Sequence, residues 1–136
     1  MIVNQIVDLK GFKGKGDTAL VRQWIKAAKT SLEEVHAAML ALKRETTRIR
    51  GHQFYLEVVT VTKDNRKTMR WRMRDGKHVN WPIIQGLLQI MPNDMAEWYR
   101  MMNLRSRWLV AHEIAARVQC KEALGLMEEI EGAKEA

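Results

Sequence analysis

FYLEVVTVTKDNRKTMRWRMRDGK, Phe54 to Lys77, decides how this chain is read. Phe54 to Thr62 is rich in β-branched and aromatic side chains, which suit a pleated strand. KDNRK supplies turn residues, and Thr68 to Arg74 then alternates Met69, Trp71 and Met73 with Arg70, Arg72 and Arg74. In an extended chain that period of two gives one apolar face and one cationic face. Asp75-Gly76 signals a second tight turn, because glycine accepts the positive φ such turns require. A short third strand is therefore expected at His78 to Trp81, completing an antiparallel meander over residues 53–81.

Helical patterns flank the meander. Leu20, Trp24, Ala28, Leu32, Val35, Met39 and Leu42 recur at steps of three and four, the stripe of an amphipathic helix. The spacing predicts a helix over 17–50, capped by Asp17 or Thr18, with Thr30 and Glu33 marking a candidate break by their capping-box spacing. Downstream, Asn80 is placed to cap a short helix running to Ile90, with Pro82 in its first turn and Pro92 as its stop. Asn93 or Asp94 then starts a run marked by Met95, Trp98, Met102, Leu109, Ala116, Cys120, Leu124 and Met127, giving helices over 82–131. At roughly 1.5 Å per residue this last helix would exceed about 50 Å, so it is expected to bend, break, pair with the first helix or extend into a homodimer. The reading is a single α+β domain spanning 1–136: a basic Gly/Lys-rich segment at 1–16, a long helix, a three-stranded meander, a short helix and a long closing helix.

Composition narrows the class. A chain of 136 residues with 46% hydrophobic and 29% charged residues can bury a core and is not a disordered polyampholyte. Cys120 is the only cysteine, which excludes an intrachain disulfide and a four-cysteine zinc site. MIVNQIVDLKGFKGKG places apolar residues before lysines, the reverse of a secretory leader, and no stretch is long and apolar enough for a membrane. A cytoplasmic location without membrane partners is expected. The net charge of +7 is uneven: Met1 to His78 holds 17 Lys and Arg against 8 Asp and Glu, whereas Val79 to Ala136 holds 6 against 8. That asymmetry points to one surface that attracts polyanions.

Arg70, Arg72 and Arg74 are the first candidate for such a surface. Neighbours on one strand face lie about 6.5 Å apart, close to the spacing of phosphates along a nucleic-acid strand. Lys63, Arg66, Lys67 and Lys77 flank the row in its turns, and guanidinium groups grip phosphates bidentately or stack on bases. The alternative is that the arginines form the wet face of a half-buried sheet and pair with Glu57. GFKGKGD adds Lys13 and Lys15 as phosphate candidates, although it lacks the GK[ST] of a P-loop and also serves as a connector. Trp81 and Trp108 are candidates for base stacking, while Trp24, Trp71 and Trp98 fall on apolar faces.

The remaining patterns carry less chemistry. Arg100, Arg105 and Arg107 do not share one helical stripe and read as a solvated face. His112-Glu113 begins an HExxH pattern, but Ala116 replaces the second histidine, and His36, His52 and His78 lack a ligand at metal spacing. No catalytic residue, metal or cofactor is assigned, and the chain is read as a non-enzyme.

FKGKGD at Phe12 to Asp17, Trp24, TMRWR at Thr68 to Arg72, and Asn103-Leu104 in the closing helix together resemble an uncharacterised family of small proteins. That family is carried on bacterial integrative and conjugative elements, with genes near those of single-strand-binding proteins and topoisomerases. The resemblance implies an accessory role for a mobile genetic element in DNA processing, transfer or maintenance, and it transfers no catalytic residue. The expected function is nucleic-acid binding, DNA favoured, through the basic hairpin. The alternative is a helical, homodimeric interaction or regulatory module that binds another protein.

Overall fold

The computed structural model describes residues 15–61 and 63–135, so Lys13 and the rest of segment 1–14 lie outside the described residues. The elements are α1 (Lys15–Arg48), β1 (Phe54–Thr60), β2 (Lys67–Met73), α2 (Trp81–Leu87), a 3₁₀ turn (Leu88–Ile90) and α3 (Asn93–Glu135). Among the described residues the architecture is α+β, with a two-stranded antiparallel sheet. Among the described residues, no helix is long and apolar enough to cross a membrane.

Sequence accounts for α1 with three adjustments, the first being that the chain is already helical at Lys15, so the expected caps Asp17 and Thr18 lie inside the helix. Asp17 stands in its first turn, where a carboxylate favours the helix dipole. The buried stripe starts on Val21, 2% exposed, and not on Leu20, 57% exposed. The helix also runs unbroken through Thr30, which is exposed and set among alanine, leucine, lysine and glutamate, all strong helix formers.

The described residues form two compact units, one drawn from the chain up to Ser31 and from Ala116 onward, the other spanning Leu32–Ala115. The first buries Thr18, Val21 and Ala28 of α1, and Ala116, Ala123 and Met127 of α3. The second holds the hairpin and a core of Met39, Leu42, Phe54, Leu56, Trp71, Ile84, Tyr99, Met102 and Leu109 among others.

Register explains which hairpin residues reach that core. Phe54 pairs with Met73, Leu56 with Trp71 and Val58 with Met69, while Tyr55–Arg72, Glu57–Arg70 and Val59–Thr68 pair on the opposite face. Leu56 and Trp71 are buried, and the Trp71 indole N–H donates to Asn103 Oδ1 of α3 at 3.0 Å, satisfying its one polar atom. The outer edge of β1 is sealed by side chains: Leu56 N–H donates to Thr46 Oγ1 at 3.0 Å and Phe54 N–H to the Tyr99 hydroxyl at 3.3 Å. Such contacts satisfy backbone donors that would otherwise offer an edge to another strand. Burial pushes the Tyr99 hydroxyl above its usual pKa, against the hydrogen bonds it accepts.

The expected third strand does not form. Gly76 takes a positive φ of 88° and Gly76 N–H donates to Met73 O, so the second turn exists, but beyond it only an isolated Arg72–His78 bridge follows. Helix α2 starts at Trp81, because Pro82 has no N–H for a ladder and its fixed φ suits a first helical turn. Asn80 caps α2 with its backbone alone: its extended residue makes no side-chain cap bond, and its carbonyl accepts from Ile83 N–H at 3.0 Å. The short helix also ends at Leu87 and tightens into the 3₁₀ turn, since Met91 before Pro92 must be extended.

Candidate functional site

The hairpin arginines have three different environments. Arg70 is exposed on the outer face of β2, with Nη1 3.1 Å from His78 Nε2. Arg72 is half-buried; its Nη1 donates to Gly76 O at 2.8 Å, while its Nε is buried without a hydrogen-bond partner. Arg74 lies just past the strand and turns away to the carboxyl end of α1. Its guanidinium donates to the carbonyls of Thr47 at 3.1 Å, Ile49 at 2.8 Å and His52 at 2.8 Å, and it stands 5.6 Å from the Tyr55 ring centre. The row that sequence spaces evenly is therefore divided into an open cation, a turn fastener and a helix cap. Glu57 faces Arg70 in the register, yet its ion pair is with Lys43 of α1 at 2.8 Å.

The flanking lysines follow suit. Lys67 Nζ folds onto its own turn, donating to Thr60 Oγ1 and Asn65 Oδ1 at 3.1 Å each. Lys63, Arg66 and Lys77 are exposed in the turns, and Lys15 is the first residue of α1.

What the structure assembles instead is an open groove of about 850 Å³ beside β2, in the Leu32–Ala115 unit. Arg70 and His78 come from the hairpin, Trp81 from α2, and Arg107, Val110 and Ile114 from α3. Trp81 is half-buried and stacks on Trp71 with ring centres 6.0 Å apart and planes 28° from parallel. Among the described residues, no aspartate or glutamate lines the groove. Two guanidinium groups, a supported aromatic ring and no carboxylate make a surface for an anion that also carries a flat apolar group.

Sequence reasoning singled out Arg70 and Trp81 and passed over Arg107 as solvated. Arg107 is indeed exposed, but it lines the groove, whereas Arg100 pairs with Glu97 at 2.8 Å and Arg105 with Glu45 at 3.2 Å. Trp108, 61% exposed, is not among the groove residues; its ring lies 3.9 Å from that of His112. Glu113 is fully buried, accepting from His36 Nε2 at 2.6 Å and from Lys67 N–H at 2.9 Å. It thereby ties α3 to α1 and to the start of β2. Among the described residues no group of three His, Cys, Asp or Glu could hold a metal ion.

No protein-family model, curated protein or solved structure matches the chain.

Proposed function

We propose that this protein binds nucleic acid without catalysis, taking a single strand into the groove between β2, Trp81 and α3. Phosphates lie against Arg70 and Arg107, and a base stacks on the Trp81 ring, which Trp71 supports from behind. One observation carries this reading: the groove brings Arg70, Arg107 and Trp81 together with no acidic side chain among its lining residues. A single strand is favoured over a duplex because only an unpaired base offers its face to an aromatic ring. The resemblance to proteins of conjugative elements favours DNA and an accessory role in handling it.

Labelled single- and double-stranded DNA of equal length, titrated at about 50 and about 200 mM salt, tests the proposal. The wild type should prefer the single strand and weaken as salt rises. Trp81→Leu should lower single-strand affinity by roughly tenfold, as loss of a stacking ring does. Absence of binding by the wild type at the lower salt would sink nucleic-acid binding altogether. Full affinity in Trp81→Leu would remove the base from the groove.

A further inference from the structure

Helix α3 carries two apolar faces. Tyr99, Met102 and Leu109 point into the core, and one such stripe is all a surface helix needs in order to pack. The second face is Met101, Leu104, Trp108, Ala111 and Ala115, spaced three, four, three and four residues apart, and every one of them is exposed. Met101 is 50%, Leu104 59% and Trp108 61% exposed. This is the a/d repeat of a coiled-coil seam, about two heptads long, facing outward. Isolated surface hydrophobes are ordinary, whereas a contiguous row in seam register marks a place where another helix lies.

The flanks of the seam say what kind of helix. Arg100 and Arg107 border it on one side and Arg105 and His112 on the other, the positions that choose a coiled-coil partner by charge. Nearby on α1, Arg44 and Arg48 are also exposed beside Glu45, the residue that holds Arg105. Glu45 and Glu97 answer only part of this charge, through Arg105 and Arg100. A second copy of the chain laid on the seam would set these arginine-bearing flanks against one another, with Glu45 and Glu97 already engaged by Arg105 and Arg100 of their own chain. Such like-charge facing rejects a partner as strongly as matched charge selects one.

We infer that this face of α3 docks an amphipathic helix of another protein, with apolar residues at its own a and d positions and Glu or Asp at its e and g positions. The seam adjoins the groove and shares Arg107 and Ala111 with it, whereas its central anchors Leu104 and Trp108 lie outside the groove lining.

Two synthetic helical peptides with identical leucine seams serve as probes, one carrying Glu and the other Lys at e and g. Anisotropy titrations with the full chain should show the Glu peptide binding at least about tenfold tighter than the Lys peptide, with the preference shrinking in high salt. Leu104→Gln and, separately, Trp108→Gln should each weaken the Glu peptide by about tenfold or more, as loss of a central apolar anchor does. Both variants should keep a wild-type circular dichroism spectrum and wild-type affinity for single-stranded DNA, which separates this proposal from the groove. Equal affinity for the two peptides, or none for either, would overturn it. So would a dimeric mass for the wild type that Leu104→Gln reduces to a monomer, because the seam would then belong to a second copy.

Discussion

His52 turns its ring edge toward Trp98, with centres 4.4 Å apart, and lies 5.2 Å from the ring of Tyr99, while its Nδ1 is buried without a hydrogen-bond partner. Burial lowers its pKa below the usual histidine value, and the neighbouring Arg74 guanidinium lowers it further. The sign of the consequence follows from proton counting. As pH falls through about 6.5, the unfolded chain takes up a proton that folded His52 declines, so stability drops until pH reaches the depressed folded value. Urea midpoints at pH 7.5 and 5.5 should therefore fall more for the wild type than for His52→Gln, whose amide does not titrate. Equal falls would place the proton uptake elsewhere. Single residues were the least legible part of the sequence, because a partner's identity depends on distant chain. Glu113 looked like the remnant of a metal motif in HExxA, and its bonds to His36 and to the Lys67 N–H cross 77 and 46 positions.

At the scale of elements, Arg74 belongs to α1 more than to its own hairpin. The last carbonyls of any helix lack intrahelical donors, and Gly51, with φ 88°, turns the chain back so that a side chain from the turn after β2 can reach them. One planar guanidinium serves three carbonyls here, which a lysine ammonium on a flexible stem matches poorly. Arg74→Ala should cost about 1 kcal/mol in chemical denaturation, and Arg74→Lys should recover less than half of that loss. Single-strand affinity should stay at the wild-type value in both. A tenfold loss of affinity without a loss of stability would return Arg74 to the binding surface. The elements that local pattern could specify were legible: α1, the β1–β2 hairpin, and the starts of α2 and α3 at their proline and asparagine signals. The third strand was not, since His78 to Trp81 has strand-forming residues but competes with a proline-initiated helix over the same few positions.

At the scale of the whole molecule, the question is whether the net charge of +7 or its arrangement does the binding. General attraction of a basic protein to a polyanion depends on total charge and is largely indifferent to which cation supplies it. The groove reading demands more, since Arg70 and Arg107 are 37 positions apart in sequence and line one groove only through the fold. That separation is also why composition indicated a basic surface while no local motif located it. Two double variants separate the cases at equal charge: Arg70→Ala/Arg107→Ala in the groove, and Lys26→Gln/Lys29→Gln at exposed positions early in α1. Each removes two positive charges. If arrangement governs, the arginine pair should lose about tenfold or more in single-strand affinity, and its salt dependence should flatten by about 1.4 in logarithmic slope, the release expected from two phosphate contacts. The lysine pair should stay within about twofold of wild type at the same salt. Equal losses in the two variants would mean that the protein attracts nucleic acid only through its overall charge, and the groove would lose its claim to be the site.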